Sequence, residues 1–227
     1  MRRSATTDRV ARGPEAAAGA PRNAAPRSRR RRLAWLLAAL VVAAAAGAAW
    51  YQVHQDMPGW YARLWYPLEH EEAVRLEAAR NGLDPALVAA VINTESGFVE
   101  DSRSGQGAVG LMQVRPDTAS FVADLPRRPS PSPDRLAEAD VNIAYGTRFL
   151  RYLLDRYGSV DLALVAYNGG PANLGRWLEE AQAQGRVLRV PEDIPFAETR
   201  GFVTKVERAA PIYRRAYGER LTDAPRE

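Results

Sequence analysis

Residues 84–98 read DPALVAAVINTESGF and combine a helix start with a glutamate among apolar residues. The stretch opens on an aspartate–proline pair, which is typical of a helix start because aspartate caps the first turn and proline suits the first helical position. Leu87, Val91 and Glu95 follow at four-residue spacing, which puts the Glu95 carboxyl on the apolar stripe. Burial and the helix dipole both disfavour a carboxylate there, so we expect a raised pKa that suits a general acid. The alternative is a helix-end side chain that turns out to water.

Helical periodicity continues over the residues that follow, and no alternating strand pattern is convincing. The Pro-rich stretch Pro126–Pro133 is typical of a loop, and only Arg186–Val190 suggests a short extended segment. The predicted helices are Glu71–Asn81, one starting at Asp84-Pro85, Pro116–Asp124, Ala139–Tyr157, Leu162–Tyr167, Asn173–Ala183, and Glu198 toward Tyr217 with a bend at Pro211. We therefore predict a mainly α domain over residues 68–217, a length sufficient for one hydrophobic core.

Positive charge is concentrated at the N-terminus. Residues 1–32 contain ten arginines against Asp8 and Glu15, a net charge of +8, whereas the whole chain carries +4. Residues 33–227 therefore carry −4. A nucleic-acid-binding domain needs a basic patch of its own, so no nucleic-acid partner is predicted. The tail has almost no large apolar residue, and we expect it to be basic, disordered and cytoplasmic.

An uncharged run, Leu33–Ala49, follows four consecutive arginines and is extended by Trp50 and Tyr51. Its length is near the minimum for a bilayer-spanning helix, and the arginines before it place the N-terminus in the cytoplasm. We therefore predict a single-pass membrane anchor over residues 33–51, with the rest of the chain outside the cytoplasmic membrane. The alternative is a signal peptide cleaved near Ala46-Gly47-Ala48, which would give a secreted or periplasmic protein.

Two further segments flank the predicted domain. Residues 52–67, which are rich in Trp and Tyr, are interpreted as a juxtamembrane connector, and residues 218–227 as a C-terminal tail. The chain has no cysteine, which excludes disulfides, thiol catalysis and Cys-ligated zinc. His54 and His70 are the only histidines and do not form a metal-ligand set, so no metal site is predicted.

A glycine-rich loop follows the first motif. Ser104 precedes the run GQGAVGLMQ, which ends on Met112 and Gln113. Glycines let the backbone approach a ligand closely, while the methionine supplies an apolar contact and the glutamine a two-way hydrogen-bonding amide. The run lacks the Lys-Ser/Thr ending of a phosphate-binding loop, and an ordinary connecting loop is the alternative.

Two later clusters also carry candidate site residues. Tyr167 and Asn168 end an apolar helix, where the tyrosine suits stacking on a sugar ring. The alternatives are a core tyrosine and an asparagine that caps the helix. Glu198 begins the last helix, where the dipole favours its charge, so we expect it to stay ionised while Glu95 is pushed toward neutrality. Ordinary helix capping is its alternative role.

These motifs together resemble the soluble lytic transglycosylase family, the lysozyme-like enzymes that cleave peptidoglycan. The resemblance covers about residues 68–217 and departs from the family pattern only at Gly169, where alanine is usual, and at Phe202, where tyrosine is common. The motifs that carry it, in order, are Glu95-Ser96, Ser104, Gly110-Leu111-Met112-Gln113, Asn142-Ile143, Ala166-Tyr167-Asn168 and Glu198-Thr199-Arg200.

The resemblance implies a mainly α, lysozyme-like fold of the goose-type class and a set of site residues. Glu95 would be the sole catalytic acid and base. The residues that would line or adjoin the saccharide site are Ser104, Met112, Gln113, Tyr167, Asn168 and Glu198.

The implied reaction is non-hydrolytic and needs no cofactor or metal. The C6 hydroxyl of N-acetylmuramic acid would close a 1,6-anhydro ring, with peptidoglycan strands as substrate; the resemblance names no protein partner. A hydrolytic muramidase on the same fold is one alternative, with Asp101 or Glu198 as second carboxylate. A catalytically weak glycan-binding scaffold is the other.

Overall fold

The computed structural model describes residues 27–56, 59–125 and 135–222, and helices dominate these ranges. The chain separates into two compact units, Met1–Gln52 and Val53–Glu227. The nine helices of the described ranges are α1 Arg27–Asp56, α2 Gly59–Trp65, α3 Glu71–Asn81, α4 Pro85–Glu95, α5 Pro116–Ala123, α6 Ala139–Tyr157, α7 Val160–Gly169, α8 Pro171–Ala183 and α9 Ala197–Thr222. The predicted mainly α class is confirmed.

The first helix, α1, carries the apolar run. Its segment Arg31–Tyr51 has 21 residues, reaches a mean hydropathy of 2.1 and is unburied, so by length and composition it is able to cross a membrane. The helix extends beyond the predicted span 33–51 at both ends. Most of the predicted tail, residues 1–26, lies outside the described residues.

Helix α4 begins as predicted, because Asp84 Oδ1 accepts a hydrogen bond from Ala86 N at 2.8 Å and proline occupies the first turn. Most of its apolar side chains are buried, including Val88, Val91 and Ile92, whereas Leu87 is half-buried. A helix that is apolar on nearly all sides belongs in a core. Helix α4 accordingly packs against α9 in the middle of the domain.

Helix α9 is longer than the sequence predicts. It runs through Pro211 without a break and ends at Thr222, so the predicted tail 218–227 starts inside the helix, and residues 223–227 lie outside the described ones. Tyr213 Oη donates to Pro67 O at 2.7 Å, and Tyr217 Oη donates to Tyr66 O at 2.8 Å. These bonds fasten the end of the predicted connector to the domain.

The structure differs from two local predictions. The predicted connector 52–67 contains helix α2. Arg186–Val190 forms no strand; the described residues instead hold two isolated antiparallel bridges, Arg103 with Val109 and Val109 with Val114. The bridges fold the glycine-rich loop onto itself. The predicted Pro-rich loop, Pro126–Pro133, lies outside the described residues.

Candidate active site

Glu95 is the last residue of α4, and its side chain is half-buried. Removal from water raises its pKa from 4.5 to about 8, and the charge of Glu198 contributes in the same direction. Glu198 is exposed in the first turn of α9. The packing of α4 against α9 therefore brings together two carboxyl groups that lie far apart in the sequence.

The turn after Glu95 is tied to the glycine-rich loop by Ser96. Its hydroxyl donates to Leu111 O at 2.8 Å and accepts from Phe98 N at 3.1 Å. A hydroxyl that bridges two backbone segments fixes their separation. Ser96 was quoted in the sequence motif without a role, and the structure shows that it sets the position of the acid relative to the loop.

Asn142 of α6 holds the same loop from the other side. Its Oδ1 accepts from Met112 N at 2.7 Å, and its Nδ2 lies 2.9 Å from Val109 O and from Leu136 O. The side chain is fully buried, so these bonds replace its contacts with water. The sequence signal for this role was a polar residue, Asn142, on the apolar face of a predicted helix. The sequence analysis quoted Asn142 in a motif but assigned no role to it.

Met112 lies in the core rather than at an open surface. Its side chain is fully buried and packs against Gly146 of α6, where an added Cβ would lie 2.5 Å from the Met112 sulfur. The prediction that this side chain contacts a ligand therefore does not match its placement. Its backbone N–H and C=O groups, which bond to Asn142 and Tyr167, connect it to the site.

Ser104 and Gln113 shape the loop that carries them. The exposed Ser104 Oγ accepts from Ala108 N at 3.0 Å and closes a tight turn. Gln113 has a left-handed backbone with φ of 47°, and its Nε2 donates to Gly110 O at 2.9 Å and to Ser102 O at 3.1 Å. The amide nitrogen of Gln113 is thus engaged within the loop.

Tyr167 lies between the loop and the core at the end of α7. Its hydroxyl donates to Met112 O at 2.8 Å, and its ring is nearly parallel to that of Phe202, with centroids 6.3 Å apart. Burial raises its pKa well above 10, and the charge of Glu95 adds to the shift. The tyrosine is thus an electrostatic neighbour of Glu95.

Asn168 does not cap α7, because Gly170 occupies the cap position. Its Oδ1 instead accepts a hydrogen bond from Thr199 Oγ1 at 2.8 Å, which links α7 to the first turn of α9. Beside it, a Cβ on Gly169 would lie 3.1 Å from Thr199 Oγ1, a tight contact. Glycine at this position therefore gives Thr199 room to reach Asn168.

The described residues contain no cluster of three or more metal-ligating side chains. His70 pairs with Glu100 at 3.0 Å instead. The groups that the structure brings together around Glu95 are a second carboxyl, Glu198, and the phenol of Tyr167.

Comparison with known proteins places this chain in a family. The sequence profile described as "Transglycosylase SLT domain" matches residues 72–189, which is more than half of the chain. The chain belongs to the transglycosylase SLT family. The recognition made from the sequence motifs is confirmed.

Two relatives illustrate how the SLT domain is shared. The soluble lytic murein transglycosylase of Escherichia coli is 30% identical over 159 residues, which are 69% of this chain and 25% of that protein. The transglycosylase of Enterobacteria phage PRD1 is 35% identical over 146 residues, covering 64% of this chain and 51% of that protein. The chain thus spans about a quarter of the length of the bacterial relative.

Solved structures share the SLT fold. The 70 kDa soluble lytic transglycosylase of Escherichia coli has a TM-score of 0.61 at 30% identity, over 71% of this chain and 26% of that one. An inactive glutamate-to-glutamine mutant of lytic transglycosylase Slt from Pseudomonas aeruginosa has a TM-score of 0.60 at 31% identity, over 72% and 27%. These matches confirm the predicted lysozyme-like fold.

The hydroxyl of Tyr167 gives a direct test of how this SLT domain is held together. We expect Tyr167→Phe to lower the free energy of unfolding by about 1–3 kcal/mol, because Met112 O loses a buried donor while the ring contact is kept. Tyr157→Phe is the matched control, since that hydroxyl makes a longer bond, 3.3 Å, to Pro171 O. Urea denaturation measures both, and equal losses would contradict the assigned role.

Proposed function

We propose that this chain is a membrane-anchored lytic transglycosylase that acts on peptidoglycan in cell-wall remodelling. The observation that carries the proposal is Glu95, whose pKa of about 8 leaves about nine-tenths of the group protonated at pH 7. A carboxylic acid that keeps its proton at neutral pH is suited to general acid catalysis. The names of the relatives and the inactive glutamate-to-glutamine mutant of a structural neighbour support the same function.

The proposed reaction breaks the β-1,4 bond between N-acetylmuramic acid and N-acetylglucosamine. Glu95 donates its proton to the glycosidic oxygen as the bond to C1 breaks, and the acetamido group of the muramic acid stabilises the charge that develops at C1. The Glu95 carboxylate then takes the proton of the C6 hydroxyl, whose oxygen bonds to C1 and closes the 1,6-anhydro ring. Glu95 regains its proton, and no water, metal or organic cofactor takes part.

The residues around Glu95 are assigned to binding and orientation of the glycan. The Gln113 amide oxygen and the Ser104 hydroxyl offer hydrogen bonds from the loop, and Tyr167 offers a neutral phenol near the acid. Asn168 holds the start of α9, which carries Glu198. Met112 contributes through its backbone, because its side chain is buried.

A hydrolytic muramidase is the second candidate, because one observation favours it. Glu198 interacts electrostatically with Glu95, which places a second carboxylate near the proposed acid. A hydrolase built on two carboxylates needs such a partner to act as base or nucleophile. The two candidates differ in whether oxygen from water enters the product.

The product distinguishes the two reactions. We expect digestion in ¹⁸O-labelled water to give muropeptides that end in 1,6-anhydro-N-acetylmuramic acid and carry no label, because the C6 oxygen is the nucleophile. Mass spectrometry of the new ends measures this, and an added hydrolase of known type serves as the labelled control. Labelled reducing ends would make the protein a muramidase.

The pH profile follows from the state of Glu95. Its acid form starts the reaction, and its pKa is raised to about 8, so we expect the turnover rate to fall as pH rises through about 8. Each further pH unit above that value should lower the rate about tenfold. Initial rates on purified peptidoglycan between pH 5 and 10 measure the profile. A rate that falls already near pH 5 would show that Glu95 titrates as an ordinary carboxyl.

The proposal extends to the topology of the chain. Residues 33–51 lie within the apolar part of α1 and form the proposed single-pass anchor, with tail 1–32 in the cytoplasm and catalytic domain 68–217 outside. Arginines before the span favour this orientation. A substrate located in the cell wall requires the domain to be on that side. Release of a mature protein that begins near Ala49 would show a cleaved signal instead.

A further inference from the structure

Helix α2 has one face that packs on the domain and one that does not. Ala62 is buried, and Arg63 Nη2 donates to the backbone carbonyl of Ala216 in α9 at 3.0 Å. A Cβ on Gly59 would lie 3.8 Å from Ala216 Cα, so this helix approaches α9 closely. Gly59, Ala62 and Arg63 thus form the face of α2 that is turned toward α9.

The opposite face is apolar and open. At roughly 100° per residue, its four side chains fall within an arc of about 140°. The exposed fractions are 66% for Trp60, 71% for Leu64 and 66% for Trp65, and Tyr61 is half-exposed. Tyr61 lies between the two tryptophans, with ring centroids at 5.7 Å and 6.4 Å. We call these four residues the aromatic face of α2.

The chemistry of this face and its place in the chain indicate what covers it. Indole and phenol rings combine an apolar body with a polar tip, a composition enriched where a membrane meets water. Only two residues separate the end of α1 at Asp56 from the start of α2. A chain anchored through α1 keeps the aromatic face within ~30 Å of the bilayer, measured over the nine residues from Tyr51 to Trp60. At such a distance a weak affinity for lipid suffices, since the contact is intramolecular.

We propose that the aromatic face of α2 lies in the outer lipid–water interface and docks the domain on the membrane surface. This inference rests on the proposed membrane anchor and adds a second contact to it. The α1 anchor and the aromatic face of α2 then hold the domain at the membrane in a defined orientation. With the anchor alone, the domain would rotate freely on its connector.

Spin labels on single cysteines test the inference, because the chain has no native cysteine. The full chain is reconstituted in phosphatidylethanolamine–phosphatidylglycerol vesicles with a label at Leu64→Cys, Leu40→Cys or Val187→Cys. Leu40 reports the proposed span, and Val187, 84% exposed, is the matched control on the catalytic domain. Collision with a water-soluble nickel chelate and with oxygen measures whether each label lies in water or lipid.

We expect nickel accessibility at Leu64 to be several-fold below that at Val187, with high oxygen accessibility, and to rise in the Trp60→Ser, Trp65→Ser background. If Leu40 lies in lipid and Leu64 matches Val187, the anchor stands and the docking inference is overturned. If Leu40 is also in water, the anchor fails and the inference fails with it. A Leu64 label shielded from both reagents, with spin–spin broadening, would show that a second copy of the chain covers the face, which also overturns the inference.

Discussion

Glu95→Gln is expected to lower turnover of peptidoglycan by on the order of 10²–10⁴-fold, the range that a single acid–base group contributes. The amide has nearly the same shape but has no proton to transfer. Under the proposed mechanism Glu95 acts first as acid and then as base, so no other residue takes over either step. Release of soluble muropeptides from purified sacculi measures the loss.

Asp101→Asn is the matched control for this substitution. Asp101 is an exposed carboxylate that lies six residues beyond Glu95, and it is one of the two candidates for a second carboxylate in a hydrolase. We expect the Asp101→Asn rate to stay within a few-fold of the unmodified protein. Wild-type-like turnover by a folded Glu95→Gln variant would contradict the assignment of Glu95 as the acid, and an equal loss in both variants would favour the hydrolase with Asp101 as second carboxylate.

The same substitution reports on folding. Between pH 4.5 and about 8 the folded protein keeps the Glu95 proton and the unfolded chain loses it, so stability falls as pH rises through this window. Glu95→Gln removes this dependence. The difference in unfolding free energy between the variant and the unmodified protein should therefore shift in favour of the variant from pH 5 to pH 8. Thermal unfolding of both proteins at the two pH values measures this shift. This outcome also shows that lost activity does not come from a damaged fold.

Gly110→Ala is expected to have the second large effect. Gly110 has a φ of 77°, and a Cβ there would lie 2.4 Å from Nδ2 of the buried Asn142. Backbone strain and overpacking together should lower the free energy of unfolding by about 2–4 kcal/mol. The variant should also lose activity, because displacement of Asn142 releases the backbone at Met112 and Val109.

Gly105→Ala serves as the control from the same loop. Gly105 has no heavy atom within 4 Å of an added Cβ, and its φ is not among the positive values. We expect its unfolding free energy to change by less than about 0.5 kcal/mol, as at other open surface positions. Equal thermal stability of the two alanine variants would show that Asn142 does not lock the loop.

Most of the helices were predicted from local sequence, because the residues that cap or end a helix lie within a few positions of its ends. The limits of Glu71–Asn81 and Ala139–Tyr157 match α3 and α6, and each helix is followed by a glycine in the left-handed conformation. Helix α2 was missed because seven aromatic-rich residues are too few to show a helical period. Helix α9 exceeds its predicted end at Tyr217 because Leu221 is also buried and continues the packed face of the helix.

The candidate site divides in the same way between local and long-range causes. The raised pKa of Glu95 was predicted because four-residue spacing and a helix end act locally. The contribution of Glu198 to that pKa depends on how α4 packs against α9, which no local pattern encodes. The side chain of Met112 packs against Gly146 of α6 and is fully buried, whereas the sequence predicted that it would contact a ligand; a contact with a distant helix is not encoded in the local pattern.

The bonds that fasten residues 59–67 to α9 also determine how the domain bears mechanical load. When the chain is pulled from its N-terminal side, the force acts first on three contacts with α9. These contacts join Arg63 to Ala216, Tyr66 to Tyr217, and Pro67 to Tyr213. These contacts lie in the second half of α9, and Glu198 lies about 22 Å away along the same helix. Under the proposed anchor, tension between membrane and cell wall would therefore enter the domain through the second half of α9 and not through its first turn, which carries Glu198.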